Sequence, residues 1–410
     1  MTDEPGIWRI PAFRRYLGAD VLSQFGTQVT LVALPLVAYL TLGASPLQLG
    51  LITTAEMIAF LVLGLPAGVW VDRMRRRPVL VVADLVRALA LLSVPVAHLL
   101  GVLSLAQLFA VALVMGVCTV FFDVAHMSFL PSVIAKSDLP RGIGALETCR
   151  SVAGVAGPGL GGWLVQVLSG PLAILADAVS YLLSALLLRG VRAKETPAPR
   201  EERRSLRAEL GEGVRYVLGH PVLRRVAVVG ALAMLSNGLW AVVQPLYLIG
   251  ELKLSAGVYG LILSSYALGG VAGAVLAPKV VERHGFGPAM YGGAALSMLF
   301  PLLMPLSGPG WQLVLYPLGG FLGLVSAVVF NVGQSSYRQL VTPDHLRGRM
   351  NASMRFLMWS AMPFGGLLGG VLAGALPIHQ VLWITCLVVS VAHLPIVAAP
   401  SVRKLQVRQD

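Results

Sequence analysis

The chain has 410 residues, 56% of them hydrophobic and only 12% charged, with a formal net charge of +12. Soluble globular proteins carry about 25% charged residues, so this composition excludes an ordinary water-soluble fold and indicates an integral membrane protein.

A hydrocarbon core roughly 30 Å thick takes about 20 helical residues, and backbone groups inside it must bond to one another. Twelve continuous apolar runs meet that length, at roughly 14–42, 47–71, 79–101, 104–130, 142–168, 171–189, 222–249, 257–280, 288–307, 312–335, 350–375 and 378–399. The predicted fold is therefore all-α, with twelve transmembrane helices. The first run is too long for a cleavable signal core.

The first run carries a polar stripe, Asp20, Gln24 and Gln28 at intervals of four, with Ser23 and Thr27 beside it. Such a face is unsuited to lipid and is expected to line a watery cavity. In the second run Glu56 lies beside Ile52, Phe60 and Gly64 with no basic residue near it in sequence. A carboxyl withdrawn from water holds a proton more readily, as a proton carrier must. Asp20 and Glu56 are the proton-coupling candidates, the alternative for Glu56 being a hydrogen bond to a neighbouring helix. Asp84 with Arg87, and Glu147 with Arg150, have the i,i+3 spacing of ion pairs. Asp123 and Asp177 also fall within apolar runs, and Asp177 has no role legible in sequence.

Residues 190–220 form the one extended polar segment. It begins as a Pro- and charge-rich linker. Leu206, Leu210, Val214 and Leu218 then recur at intervals of four, which predicts an amphipathic helix on the membrane face. The expected organisation is a six-helix bundle over 1–190, the linker over 191–220, a second six-helix bundle over 221–400 and a tail over 401–410. In the seventh run Asn237, Trp240, Gln244 and Tyr247 follow one another at spacings of three and four, which makes them cavity candidates. Cys118, Cys149 and Cys386 read as small packing residues, and the seven histidines show no metal spacing. No GxxxxGK[ST] phosphate loop occurs. Neither a cofactor, a metal nor enzymatic activity is expected.

If the chain starts inside, nearly every Lys and Arg between spans falls on cytoplasmic segments, and Lys253 alone on an external loop. This positive-inside pattern predicts a multi-pass protein of the plasma or inner membrane with both termini cytoplasmic. The basic excess then faces anionic lipid, with no nucleic-acid partner.

The halves also resemble each other. A shift of 210 residues lays Pro35-Leu36 on Pro245-Leu246, Asp72-Arg73 on Glu282-Arg283 and Pro78 on Pro288. A shift of 208 lays Phe122-Asp123-Val124 on Phe330-Asn331-Val332, and Gly161-Gly162 on Gly369-Gly370. Repeated six-helix halves are a transporter signature, with the substrate site near the midplane where the repeats meet.

"GVWVDRMRRRP", residues 68–78, resembles motif A of the major facilitator superfamily, and the likeness covers nearly the whole chain. The resemblance implies two pseudo-symmetric bundles. Gly68 would permit close helix packing, and Asp72 would latch onto the start of the eleventh span. Arg73, Arg76 and Arg77 would partner Asp72 and Asp123. "GVAGPGLGGWL", residues 154–164, resembles motif C of the exporter branches through Gly154, Gly157, Pro158, Gly161 and Gly162. "FRRYLGADVLSQFGTQVTLVALPL" and "LVTPDHLRGRMNAS" are similar to the subfamily of enterobactin exporters and macrolide efflux proteins. One departure concerns motif B: if Gly116 is its glycine, the position of its arginine is held by Ala112. The implied function is a monomeric, proton-coupled antiporter exporting an amphipathic small molecule such as a macrolide-like drug or a siderophore. The alternative is an uptake symporter.

Overall fold

The computed structural model describes residues 7–193, 195 and 206–403; the side chains of Leu65, Val69, Asp72, residues 206–210 and 400–401 lie outside the description. Among the described residues, twelve helical stretches are long and apolar enough to cross a membrane, and no strand occurs.

Helix α1 spans Pro11–Leu36, α2 Pro46–Asp72, α3 Arg76–Leu99, α4 Leu105–Val133, α5 Leu139–Leu168 and α6 Gly170–Arg189. A shorter helix, α7, covers Leu206–Gly219. There follow α8 (Pro221–Pro245), α9 (Ala256–His284), α10 (Phe286–Leu299), α11 (Leu315–Val341), α12 (Asp344–Trp359), α13 (Met362–Ala375) and α14 (Ile378–Ala392). Local chemistry sets the ends. Ser45 accepts from the amide of Gln48 while the Gln48 side chain accepts from the amide of Ser45, a capping box that starts α2 with Pro46 at its first position. Ser104 caps α4 in the same way through the amide of Gln107. The eleventh span is two helices, α12 and α13, broken at Ser360–Ala361 just before Pro363, whose ring cannot continue an α-helical ladder.

The chain forms two compact units. One is Met1–Glu201 with Ser255–Ser264, and the other is Glu202–Leu254 with Ser265–Asp410. In the first unit α1 packs on α5 and α6, α2 on α4, and α3 on α4 and α6. Its apolar core gathers Phe13, Tyr16, Leu80, Phe122, Phe129 and Leu188. In the second, α8 packs on α13 and α14, and α10 on α11; Leu223, Val226, Met290, Met350, Met354 and Ile396 form a core there.

The repeat is visible in backbone detail. Pro35 and Pro245 each precede a wide π-helical end, Val37–Thr41 and Leu246–Glu251, at the same 210-residue offset. Glycines seat one helix pair in each unit. A Cβ on Gly157 would overlap the side chain of Gln28, and one on Gly161 would lie 3.0 Å from the Cα of Val29, so α5 rests on α1. At the 208 offset, Gly365 and Gly369 seat α13 on Leu235, Gly238 and Leu239 of α8. Small residues let helix backbones approach where no hydrophobic force drives them together.

Helix α7 turns differently from its leucine stripe. Leu218 is exposed and Val214 half-buried, while Gly213 and Val217 are buried. Gly213 explains this: a Cβ there would lie 2.5 Å from the carbonyl of Arg349, so the glycine sets the closest approach of α7 to α12. The Glu212–Arg349 ion pair at 2.6 Å and the Tyr216 hydroxyl, donating to the carbonyl of Val341 at 3.0 Å, fix the same face.

Candidate functional site

The polar stripe of α1 divides among three neighbours. Asp20, 3% exposed, meets His126 of α4, its Oδ1 lying 3.1 Å from Nε2. His126 is held in place from both sides. Its ring stacks on Tyr16 at 4.9 Å and on Phe122 at 5.5 Å, and the Tyr16 hydroxyl donates to its carbonyl at 3.0 Å. Thr27 and Thr30 face α6 instead. The Thr27 hydroxyl lies 2.8 Å from that of Tyr181, and Thr30 donates to Oδ2 of Asp177 at 2.5 Å. Gln24 points into a pocket, and Gln28 lies under Gly157.

Behind the Asp20–His126 contact lies a buried polar web. Arg87 bonds Asp84 at 2.6 Å, and its guanidinium sits over the rings of Phe122 and Tyr181 at 4.2 and 4.3 Å. Ser184 donates to the other oxygen of Asp84 at 2.6 Å. Asp177, with no exposed surface, accepts from Thr30 and from Ser180. Asp84 thus has the partner its spacing predicts, and Asp177 gains a hydrogen-bonded place that sequence did not supply. Gly26 makes the Asp177 arrangement possible, because a Cβ on it would overlap the carboxylate.

The Asp20–His126 pair opens onto a pocket of about 100 Å³ within the first unit. Asp20, Gln24, His126, Glu147 and Arg150 give it polar walls; Met127, Leu130, Ile143 and Leu146 give it apolar ones. Arg150 and Glu147 stand 3.9 Å apart and are both exposed. Few precisely placed polar groups on an apolar wall are the usual make-up of a small-molecule site. Sequence reasoning missed His126. A histidine inside an apolar run is itself a functional signal, but a search for metal spacing passes over it.

Glu56 stands apart. It is half-buried on α2 and has no hydrogen bond or ion pair among the described residues. Its backbone carbonyl faces Gly116 of α4, where any Cβ would overlap it. Ala112 is fully buried one turn away.

Several predicted positions fall elsewhere. Tyr247 is 1% exposed, its hydroxyl donates to the carbonyl of Ser307 at 2.8 Å, and its ring stacks on Tyr316 and His379. It is a core residue of the second unit rather than a cavity wall. Trp240 and Gln244 are half-buried, with the Trp240 edge on Tyr316 at 6.1 Å, and Asn237 is exposed. Among the described residues, a Cβ on Gly68 or Gly154 would meet nothing within 4 Å. Gly162 does pack closely, against Ala256 and Gly260 of the segment that belongs to the first unit, and the Gly159 amide after Pro158 donates to Ser264 at 3.0 Å. Arg73 is exposed. Arg77 donates to the carbonyls of Leu188 and Arg189 at the end of α6, while the amides of Arg76 and Arg77 are taken by Glu195. Asp123 is half-buried, and the side chain of Asp72 lies outside the described part.

A family model described as the Major Facilitator Superfamily matches residues 17–236 and 226–408. The chain belongs to that superfamily. It is therefore a multi-pass membrane transporter of small molecules and not an enzyme. The multidrug efflux pump Tap of Mycolicibacterium fortuitum is 28% identical over 406 residues, covering 95% of this chain and 96% of that protein. The enterobactin exporter EntS of Salmonella choleraesuis is 26% identical over 375 residues, covering 89% and 86%. Among solved structures, a bacterial homologue of the iron transporter ferroportin in its inward-facing state superposes with a TM-score of 0.76 at 19% identity, covering 94% of this chain and 98% of that one. The nucleoside transporter NupG gives a TM-score of 0.72 at 14% identity, covering 96% and 100%. At those identities the structures establish the fold alone.

Proposed function

We propose that this transporter exports an amphipathic small molecule in exchange for protons, by alternating access, as a monomer in the plasma or inner membrane with both termini cytoplasmic. The observation that carries the reading is the Asp20–His126 contact on the wall of the pocket. A carboxylate and an imidazole in contact inside a membrane span are groups able to accept and give up a proton, as a proton-coupled carrier requires. A ligand in the pocket meets their charge directly, so proton uptake and ligand binding oppose each other at one place. Gln24 offers hydrogen bonds and Glu147 a second negative charge, while Met127, Leu130 and Ile143 receive the apolar body. Glu56, unpaired within α2, is a second acid able to take a proton. The names of Tap and EntS support export as the direction, and drug-like or siderophore-like molecules as the class.

The test is accumulation of fluorescent dyes, macrolides and siderophores in energised cells expressing the protein, with and without a protonophore. Expression should lower accumulation of at least one compound, and the protonophore should abolish the difference. Asp20→Asn should cut export about tenfold or more, and Glu56→Gln should cut it measurably, a tenfold loss being roughly 1.4 kcal/mol. Accumulation that rises with expression would replace export by uptake symport. Export that persists undiminished in both variants would remove these acids from the coupling.

A further inference from the structure

A second cleft, of about 640 Å³, lies where the start of α3 meets the end of α6. Arg75, Arg77 and Arg189 line it against a single acid, Glu195, so the cleft is positive. Its apolar lining is Pro78, Val81 and Ala193. From that lining the outer faces of both helices continue as exposed aliphatic residues, Val82, Leu85 and Leu89 on α3 and Leu183 and Leu186 on α6. Those faces suit lipid chains, since such exposure to water along two adjacent membrane-spanning helices would be costly. Charge at the rim and hydrocarbon below it are therefore continuous.

The cleft already holds an anion of the chain's own. Both carboxylate oxygens of Glu195 are bonded by the free amides of α3, Oε2 by Arg76 at 2.5 Å and Oε1 by Arg77 at 3.1 Å. A carboxylate placed on two helix-terminal amides beside three guanidinium groups stands where a phosphate diester would bind. Arg77 is engaged with the carbonyls of Leu188 and Arg189, but the Arg75 and Arg189 side chains are exposed and face the rim.

We propose that this cleft binds the headgroup of an anionic phospholipid, whose phosphate competes with Glu195 for the amides of α3 while its acyl chains run down the α3 and α6 faces. A free phosphate would gain nothing from the apolar lining, and a zwitterionic lipid would bring a cation to a positive rim. Glu195 belongs to the first unit, shortly after the end of α6, so lipid arrival frees it from the start of α3.

The experiment is native mass spectrometry of the full chain in detergent, titrated with phosphatidylglycerol, phosphatidylcholine or glycerol phosphate. Phosphatidylglycerol should bind in preference to the other two. With each surface arginine worth about a fivefold change in lipid affinity, Arg75→Ala with Arg189→Ala should weaken it roughly twenty-five-fold. Glu195→Gln removes the competitor and should tighten it. Both arginines are exposed, so neither replacement disturbs a packed core, and the opposite sign expected of Glu195→Gln separates lost binding from lost folding. Equal binding of phosphatidylcholine, or an arginine pair without effect, would overturn the site. Glycerol phosphate binding as well as phosphatidylglycerol would replace the lipid by a soluble phosphate. An unchanged Glu195→Gln would overturn the competition.

Discussion

The two six-helix units share helix order, π-helical ends and glycine seats, yet their interiors differ in kind. The first buries Asp20, Asp84, Arg87 and Asp177; among the described residues of the second, the buried polar side chains are hydroxyls, Gln334 and His393. Matched positions make the contrast specific. At the 210 offset Asp84 and Arg87 fall on Ala294 and Ser297, and at the 208 offset Asp177 and His126 fall on Thr385 and Gln334, all buried. The fold stands without these charges in one copy, so the fold does not require them in the other. Buried charge is expensive in a membrane and marks function by default.

The largest effect should come from breaking the ion pair. Arg87→Met leaves Asp84 buried without its cation and should cost about 3–5 kcal/mol, read as a drop in the unfolding midpoint of the purified protein. Asp84→Asn combined with Arg87→Met should regain most of it, because an uncharged pair carries no unpaired charge. Ser297→Ala at the matched position removes a hydroxyl that has no hydrogen-bond partner among the described residues and should be neutral or slightly stabilising. A single Arg87→Met variant as stable as wild type would erase the contrast.

Next in size are the glycine seats, where the units should behave alike. Gly157→Ala and Gly365→Ala each place a methyl group against a neighbouring helix, and each should cost about 1–3 kcal/mol through overpacking. Unequal costs would show that one seat yields more easily and would sharpen the comparison to backbone packing as well as charge.

What sequence made legible follows the range of the interactions. Span number, the linker helix, the repeat and the Asp84–Arg87 pair depend on hydrophobic length or on neighbours three and four residues apart, so they were readable. The partner of Asp20 was not, because His126 is brought to it by the packing of α4, more than a hundred residues away in the chain. Helical spacing reports which residues share a face and not how deep that face lies, which is why Tyr247 reads as a cavity wall but sits in a core. The packed face of α7 was missed because the leucine stripe is louder in sequence than Gly213, although the glycine decides the approach to α12. Motif A's glycine and arginines were placed by resemblance; among the described residues Gly68 faces open space and Arg77 reaches the end of α6.

The smallest effect separates core from cavity in the second unit. Tyr247→Phe keeps the rings of Tyr316 and His379 in contact and removes one hydrogen bond to the carbonyl of Ser307. The loss should be about 0.5–1.5 kcal/mol of stability. Because the hydroxyl is directed at the backbone of its own unit, transport of every compound that the wild type moves should be retained. Gln244→Ala is the companion measurement, since Gln244 lies one turn before Tyr247 on α8 and is only half-buried. If substrate touches α8, transport should respond to Gln244→Ala and not to Tyr247→Phe. Should Tyr247→Phe instead change which compounds are moved while leaving the unfolding midpoint in place, the second unit would contribute an aromatic hydroxyl to recognition. The division between a charged, chemically active first unit and a packed second one would then have to be redrawn.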